Sequence, residues 1–419
     1  MTTSTLSHLV GALSGATYDA DRLWGLDPAD GRPLLARYDL QSAALTLTKA
    51  AMTTRRTTGM WRWSELLPVR NPAARIHLGE GATPLLPAPR LGAVLGVPGV
   101  FVKAEGVNPT GSFKARGMAA AVSRAAELGA TSLIAPSAGN AAGALAAYGA
   151  AAGLDVTVVM PTDVPAAHRE ECLLSGAAVL LVDGLINDCG AIAGRIAAVT
   201  GAFDVSTLKE PYRVEGKKTM GLELAEDFGW RLPDVVVYPT GGGTGLVGMH
   251  KAFDELQAMG LIDAKRPRLV SVQTSGCAPI VRAFDDGQRF ATPWTGGHTR
   301  AAGIRVPAAV GDFLILDAIR ASDGTAIAVD EQDMDAGQRA AGRCGLGYVS
   351  PETGAVVAAV GQLRSSGWIQ RDEEVVVFDT GIGHKYPPPP GLADPPIVAA
   401  GETDTEKLVA LTTGVAVRD

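Results

Sequence analysis

Val235-Val236-Val237-Tyr238-Pro239-Thr240-Gly241-Gly242-Gly243-Thr244-Gly245 is the stretch on which the reading of this chain turns. Its first four residues form a short apolar run of strand-forming type, and helical spacing takes over at 246–259. A strand that passes through a glycine turn into a helix is half of a βαβ unit. The glycines let successive backbone N–H groups face one point, and the helix N-terminus adds positive potential, so the turn suits a phosphate. Thr244 can add a hydroxyl donor. A tight strand-to-helix turn with no ligand would use the same residues, and one Gly-rich turn is a weak signal. No Gly-Lys-Ser/Thr closes the motif, so a P-loop is not supported. The G-x-G-x-x-G spacing of a dinucleotide site is matched only loosely, with no acidic ribose partner.

The same alternation runs in both directions. Strands are expected at Val100–Lys103, Leu133–Ala135, Val156–Met160, Val179–Val182, Leu269–Gln273 and Val375–Phe378. Helices are expected at 118–128, 141–152, 166–175, 186–199, 217–229 and 352–365. Short apolar strands separated by helices imply α/β architecture, with parallel sheets covered on both faces and right-handed crossovers. A length of 419 residues exceeds one ordinary core, so two lobes plus an appendage are expected. The expected division is an N-terminal region at 1–78 with one short strand near Leu34–Leu40, a larger domain from 79–130 and 205–395, and a smaller domain from 131–204. A stiff Pro387–Pro396 linker leads to a tail at 396–419, read as an arm or a partly disordered segment.

Composition excludes several classes. A net charge of -7 leaves no footprint for nucleic acid or an anionic membrane, and local positive features must capture any anionic substrate. Cys172, Cys189, Cys277 and Cys344 are far apart with no CxxC pair, so neither a metal site nor a disulfide framework is expected. No secretory signal and no unbroken apolar span is apparent, and the expected location is the cytoplasm.

Three further turns carry chemistry. Asn108-Pro109-Thr110-Gly111-Ser112-Phe113-Lys114 puts a lysine at a helix start, where the dipole disfavours the ammonium and favours the free, nucleophilic amine. A solvated lysine in a segment capped by Ser112 is the plainer alternative. Ser137-Ala138-Gly139-Asn140 offers hydroxyl, amide and N–H groups that suit a carboxylate or phenolate, or simply cap a helix. Asp379-Thr380-Gly381-Ile382-Gly383-His384-Lys385 puts a hydroxyl at a strand's C-terminal end, where ligands of open α/β sheets gather, or forms a polar exit turn. Each is ambiguous alone, whereas their order along one chain is a joint pattern that chance rarely assembles.

Together these residues resemble the fold-type II (tryptophan synthase β-like) enzymes dependent on pyridoxal 5'-phosphate (PLP), and within them the threonine synthase group. Leu78-Gly79-Glu80-Gly81-Ala82-Thr83-Pro84-Leu85, Val102-Lys103-Ala104-Glu105, Glu215-Gly216-Lys217-Lys218-Thr219 and Gly303-Ile304-Arg305-Val306-Pro307 are similar to motifs of that group. The likeness covers roughly residues 30–386. It implies two open parallel-sheet lobes with the cofactor in the cleft between them, and commonly a homodimer. It implies that Lys114 forms the Schiff base and shuttles protons, and that Gly241, Gly242, Gly243, Thr244 and Gly245 hold the PLP phosphate. Asn140 would meet the ring hydroxyl, Thr380 the pyridine nitrogen and Phe113 the ring face. Ser137 and Gly139 would bind the substrate carboxylate, and Arg213 a substrate phosphate.

The implied activity is that of a threonine synthase: O-phospho-L-homoserine and water give L-threonine and phosphate. Departures leave a second reading open. Ala115 stands where many members have an acid, and Thr207-Leu208 where many have an Asn-Ser pair that contacts the phosphate. Losing such donors should cost about 1–3 kcal/mol each, with Lys209, Lys217 or Lys218 as candidate replacements. A relative performing β-elimination or β-replacement on another amino acid, such as a serine or threonine dehydratase or an enzyme of a phosphoserine-type substrate, fits these departures. A non-catalytic phosphate-binding protein using the glycine turn is the reading from another class. The N-terminal region has no zinc-ribbon cysteines, so no metal is expected.

Overall fold

A computed structural model describes residues 3–392 and 394–415, so the last four residues of the expected tail lie outside the described residues. The chain opens with three antiparallel strands, β1 (Leu6–Gly11), β2 (Thr17–Asp19) and β3 (Leu34–Tyr38), in the order β2-β1-β3. It lays down β4 (Leu85–Pro87) and β5 (Val100–Ala104), then crosses to a second sheet made of β6 (Ser132–Pro136), β7 (Asp155–Pro161), β8 (Ala178–Val182) and β9 (Phe203–Asp204). It returns with β10 (Val235–Pro239), β11 (Arg268–Thr274), β12 (Thr325–Val329) and β13 (Val375–Asp379). The larger sheet has the order β12-β11-β10-β13-β5-β4 and the smaller β8-β7-β6-β9. Every pairing in the smaller sheet is parallel, and in the larger sheet only the edge strand β4 runs antiparallel.

Alternation along β10 shows why this sheet is covered on both sides. Val235 and Val237 pack with the helix Pro351–Ser365, whereas Val236 and Tyr238 pack with the helices Arg213–Asp227 and Thr244–Ala258. All five residues of β10 are buried, as a central parallel strand requires. The N-terminal region holds three strands where one was expected. Its other two pair only through β1, and β2 is an edge strand with no buried residue. β12 has two alanines among its five residues and is weakly apolar, which hides it from a pattern search. The tail contains a helix at Thr405–Val415.

The elements around Lys114 are fastened by buried charge. Arg116, on the helix Lys114–Glu127, donates to Glu105 at 2.7 and 2.8 Å and to Glu223 at 2.6 and 2.7 Å. It also donates to Thr219 and Thr83. Glu105 follows β5, and Glu223 lies on the helix Arg213–Asp227, so one guanidinium joins three segments. Burial alone would raise the Glu223 carboxyl, but Arg116 and Lys103 hold it down to about 2. Arg116→Met leaves two buried carboxylates facing each other and is expected to cost about 3–5 kcal/mol. Urea denaturation measures the loss, and a change below about 1 kcal/mol would contradict it.

Candidate active site

The cleft lies where the C-terminal ends of the two parallel sheets meet, as in open α/β folds generally. Its floor is the loop before the helix Lys114–Glu127. The Phe113 N–H donates to the Thr380 carbonyl at 3.1 Å, and the Ile382 N–H donates to the Gly111 carbonyl at 3.0 Å. These bonds lay the lysine loop along the segment that leaves β13, so Thr380 and Lys114 line the same cleft. Gly111 is required there: its φ is +63°, and a Cβ would lie 2.7 Å from Ile382. Ser112 is no real cap, since its hydroxyl is 3.4 Å from the Lys114 N–H.

Lys114 is the first residue of its helix, and its ammonium is 3.9 Å from the centroid of the Phe113 ring. Its pKa is lowered to about 7. Removal from water is the main cause, repulsion from Arg213 the second, and Glu352 opposes both.

The glycine turn faces this lysine across the cleft. No acceptor among the described residues takes the N–H groups of Gly241, Gly242 or Gly243. At Gly242 a Cβ would lie 2.5 Å from the Thr207 methyl, so only glycine admits this approach. The helix Thr244–Ala258 begins at the turn, and the Thr244 hydroxyl accepts a 2.6 Å bond from the Lys217 ammonium. Gly245 is held against the Tyr238 hydroxyl, which has no partner. Unpartnered N–H groups, a helix start, a hydroxyl and a buried cation are the donor set a phosphate dianion needs.

On the opposite wall, Asn140 begins the helix Asn140–Ala152. Its amide nitrogen donates to the Tyr386 hydroxyl at 3.2 Å, and its amide oxygen is buried without a partner. Ser137 turns its hydroxyl onto its own loop, donating to the Gly139 carbonyl and accepting from the Gly139 and Ala142 N–H groups. Ser137 and Gly139 nonetheless line the cleft.

Arg213 is placed differently from the other candidates. It is 2% exposed and does not line the cleft; one guanidinium nitrogen donates to the Val205 carbonyl at 2.7 Å, and the other two have no partner among the described residues. The concern over Leu208 also changes. This residue adopts a left-handed backbone with φ +58° and turns into the hydrophobic core, so its side chain does not line the cleft. Thr207 does line it. Of the three lysines offered as replacements, Lys218 is bound between Glu215 and Glu255, Lys209 lies toward Asp204, and Lys217 lines the cleft.

Sequence reasoning missed Glu352 and Tyr386 as cleft residues. Glu352 accepts from the Gly303 N–H at 2.7 Å and from the Tyr386 hydroxyl at 3.0 Å. No local spacing could signal this, because the three partners come from segments distant along the chain. The one available clue was a glutamate in the first turn of the helix Pro351–Ser365.

A family profile described as pyridoxal-phosphate dependent enzyme matches residues 76–381. A threonine synthase of Methanosarcina acetivorans is 35% identical over 377 residues, covering 89% of this chain and 91% of the relative. A threonine synthase of Methanocaldococcus jannaschii is 33% identical over 374 residues, with coverage of 89% and 91%. Among solved structures, maize serine racemase matches with a TM-score of 0.62 at 21% identity, over 79% of this chain and 93% of that one, a likeness that speaks for the fold. The glycine turn, the lysine at its helix start and these matches agree: the chain belongs to the pyridoxal-phosphate dependent enzyme family, in its threonine synthase group.

Proposed function

We propose that this protein converts O-phospho-L-homoserine and water to L-threonine and phosphate. The observation that carries the reading beyond the family is a cluster of basic groups, of which Lys114 and Lys217 line the cleft and Arg213 lies close to them. Lys114, Lys217 and Arg213 lie close enough to repel one another, and none forms an ion pair among the described residues. Such a cluster calls for anions, and a phosphorylated amino acid bound beside a phosphorylated cofactor supplies two.

In this reading Gly241, Gly242, Gly243, Thr244 and Gly245 hold the PLP phosphate. Asn140 meets the ring hydroxyl and Thr380 the ring nitrogen, with Phe113 against the ring. PLP, when bound, supplies an electron sink beside the substrate's Cα, and the Thr380 hydroxyl, having no negative charge, leaves its ring nitrogen unprotonated. Ser137 and Gly139 present backbone and hydroxyl groups to the substrate carboxylate. Arg213 would serve the substrate phosphate only by turning its guanidinium toward the cleft, where the Thr207 hydroxyl already stands; two of its nitrogens have no partner among the described residues. Lys114 moves protons at its Nζ, a task favoured by a pKa near the working pH. Over the reaction the Cγ–O bond to phosphate breaks, a C–O bond to water forms at Cβ, and a proton ends on Cγ.

Loaded protein given O-phospho-L-homoserine should release phosphate and threonine in equal amounts. A second reading, elimination on serine or threonine, is favoured by one observation: Leu208 withdraws from the cleft and leaves Thr207 as a lone hydroxyl there. Keto acid formed from threonine, with no phosphate released from O-phospho-L-homoserine, would replace the first reading by the second.

A second prediction concerns Lys114 before cofactor loading. An ordinary lysine keeps its proton until about pH 10.4, whereas folded Lys114 releases it at about 7. Between these values the unfolded chain binds the extra proton, so this group's contribution to stability improves as pH rises through the window and is least favourable below 7. Pulse labelling with an amine-specific reagent, read by mass spectrometry, should half-modify Lys114 near pH 7. Arg213→Met should move that midpoint upward, because a like charge is removed. A midpoint in the ordinary lysine range would refute the assignment.

A further inference from the structure

Lys103, Lys218 and Lys251 are deeply buried, and each faces carboxylates within 3.2 Å. Lys217 is 1% exposed and has no such partner among the described residues. The carboxylate that bears on it is Glu210, whose two oxygens are taken by the N–H groups of Tyr212 and Arg213 at 2.7 and 2.8 Å. The path of the side chain is itself built. The helices Lys114–Glu127 and Arg213–Asp227 meet at Gly117, where a Cβ would lie 2.8 Å from the Lys217 stem and 3.0 Å from the Arg213 carbonyl. The stem runs through this gap and past the Phe113 ring, 4.9 Å from its centroid, to end on the Thr244 hydroxyl. That bond uses one of three ammonium donors.

We propose that Lys217 is the charge partner of the cofactor's phosphate, reaching it beside Thr244, and is not a residue of the substrate's phosphate end. The proposal rests on reading residues 241–245 as the phosphate cradle. Its geometric ground is that, among the described residues, the one hydrogen-bond partner of Lys217 belongs to the turn whose three N–H groups have no acceptor. Burial, then repulsion by Arg213 and Lys114, holds Lys217 well below the ordinary lysine range, so its charged form is disfavoured before loading. A dianion in the turn favours the charged form. Loading should therefore draw a proton toward Lys217, which an uncharged cradle would not do.

The test uses the full-length protein freed of cofactor, with pyridoxine 5'-phosphate and pyridoxine as probes, since neither can bond covalently to Lys114. Titration calorimetry of wild type and Lys217→Met, in two buffers of different ionisation enthalpy, gives affinity and proton uptake together. Wild type should prefer the phosphorylated probe and take up a proton with it. Lys217→Met should lose about tenfold or more on that probe, lose the uptake, and stay within about twofold on pyridoxine. Lys217→Arg should regain part of the affinity. Equal losses on both probes would make Lys217 structural and overturn the proposal. An unchanged preference, with a raised KM for O-phospho-L-homoserine, would assign it to the substrate instead and also overturn it. No preference in wild type would remove the cradle reading itself, a failure distinct from the other two. If Lys217→Met does not fold by thermal denaturation, Lys217→Gln carries the same comparison.

Discussion

The position of the Lys114 amine depends on a group that does not line the cleft. Arg116 lies two residues after Lys114, and its guanidinium is clamped between Glu105 and Glu223. The planar fork of arginine makes two bonds to each carboxylate, which fixes orientation as well as distance. A lysine there would supply a point charge and leave the helix free to rotate. The clamp is costly in desolvation and adds little net stability over apolar packing. Its value is positional, because the strand before the lysine loop and the helix that carries Arg213 and Lys217 are tied to the same atom cluster.

This network also shows how the protein sorts its buried cations. Lys103 lies near Glu223 and Asp227, and Lys218 and Lys251 share Glu215 and Glu255. These groups are balanced inside the protein and support the fold. Lys114, Lys217 and Arg213 are not balanced, and all three come from the first turns of two adjacent helices. Arg213 and Lys217, four residues apart, lie on one face of their helix. Balanced charge marks structure and unbalanced charge marks a ligand, although both kinds lie within a few residues of each other in the motif 213–218. Composition alone cannot distinguish them, because the difference is made by which carboxylates the other segments bring near.

That limit explains what was legible in the sequence. The strands around 100, 133, 156 and 235 and the turns after them could be read locally, since apolar runs and glycine turns are local signals. Lys114, Asn140, the 241–245 turn and Thr380, which line one cleft, could be picked out as candidates for the same reason, each sitting at a strand-to-helix or strand-exit turn. Glu352 and Tyr386 could not be found this way, because their contacts join segments that are distant along the chain. Leu208 was misjudged because its left-handed backbone turns the side chain away from the position a simple alignment assigns to it. To the helix start, which the sequence offered as the cause of a lowered Lys114 pKa, the structure adds burial and then repulsion from Arg213. The small strands β2 and β12 escaped because a short edge strand has little apolar alternation to detect.

The two parallel sheets are joined across the cleft by two unlike ion pairs. Arg305 reaches Asp163 at 2.8 Å near the mouth, where the Asp163 side chain is 56% exposed and the pair contributes about 0–1 kcal/mol. Lys385 reaches Glu171 at 2.5 Å in a more enclosed position and also donates to the Thr110 carbonyl. The second pair therefore connects the helix Ala166–Leu174 directly to the lysine loop. His168 on that helix packs against Tyr386, which in turn bonds both Asn140 and Glu352. The wall that carries Asn140 and the floor that carries Lys114 are thus registered to each other through Lys385 and Tyr386. Relative motion of the sheets would cost little at the mouth and much more at the floor, so the amine and the groups facing it keep their spacing while the opening above them changes.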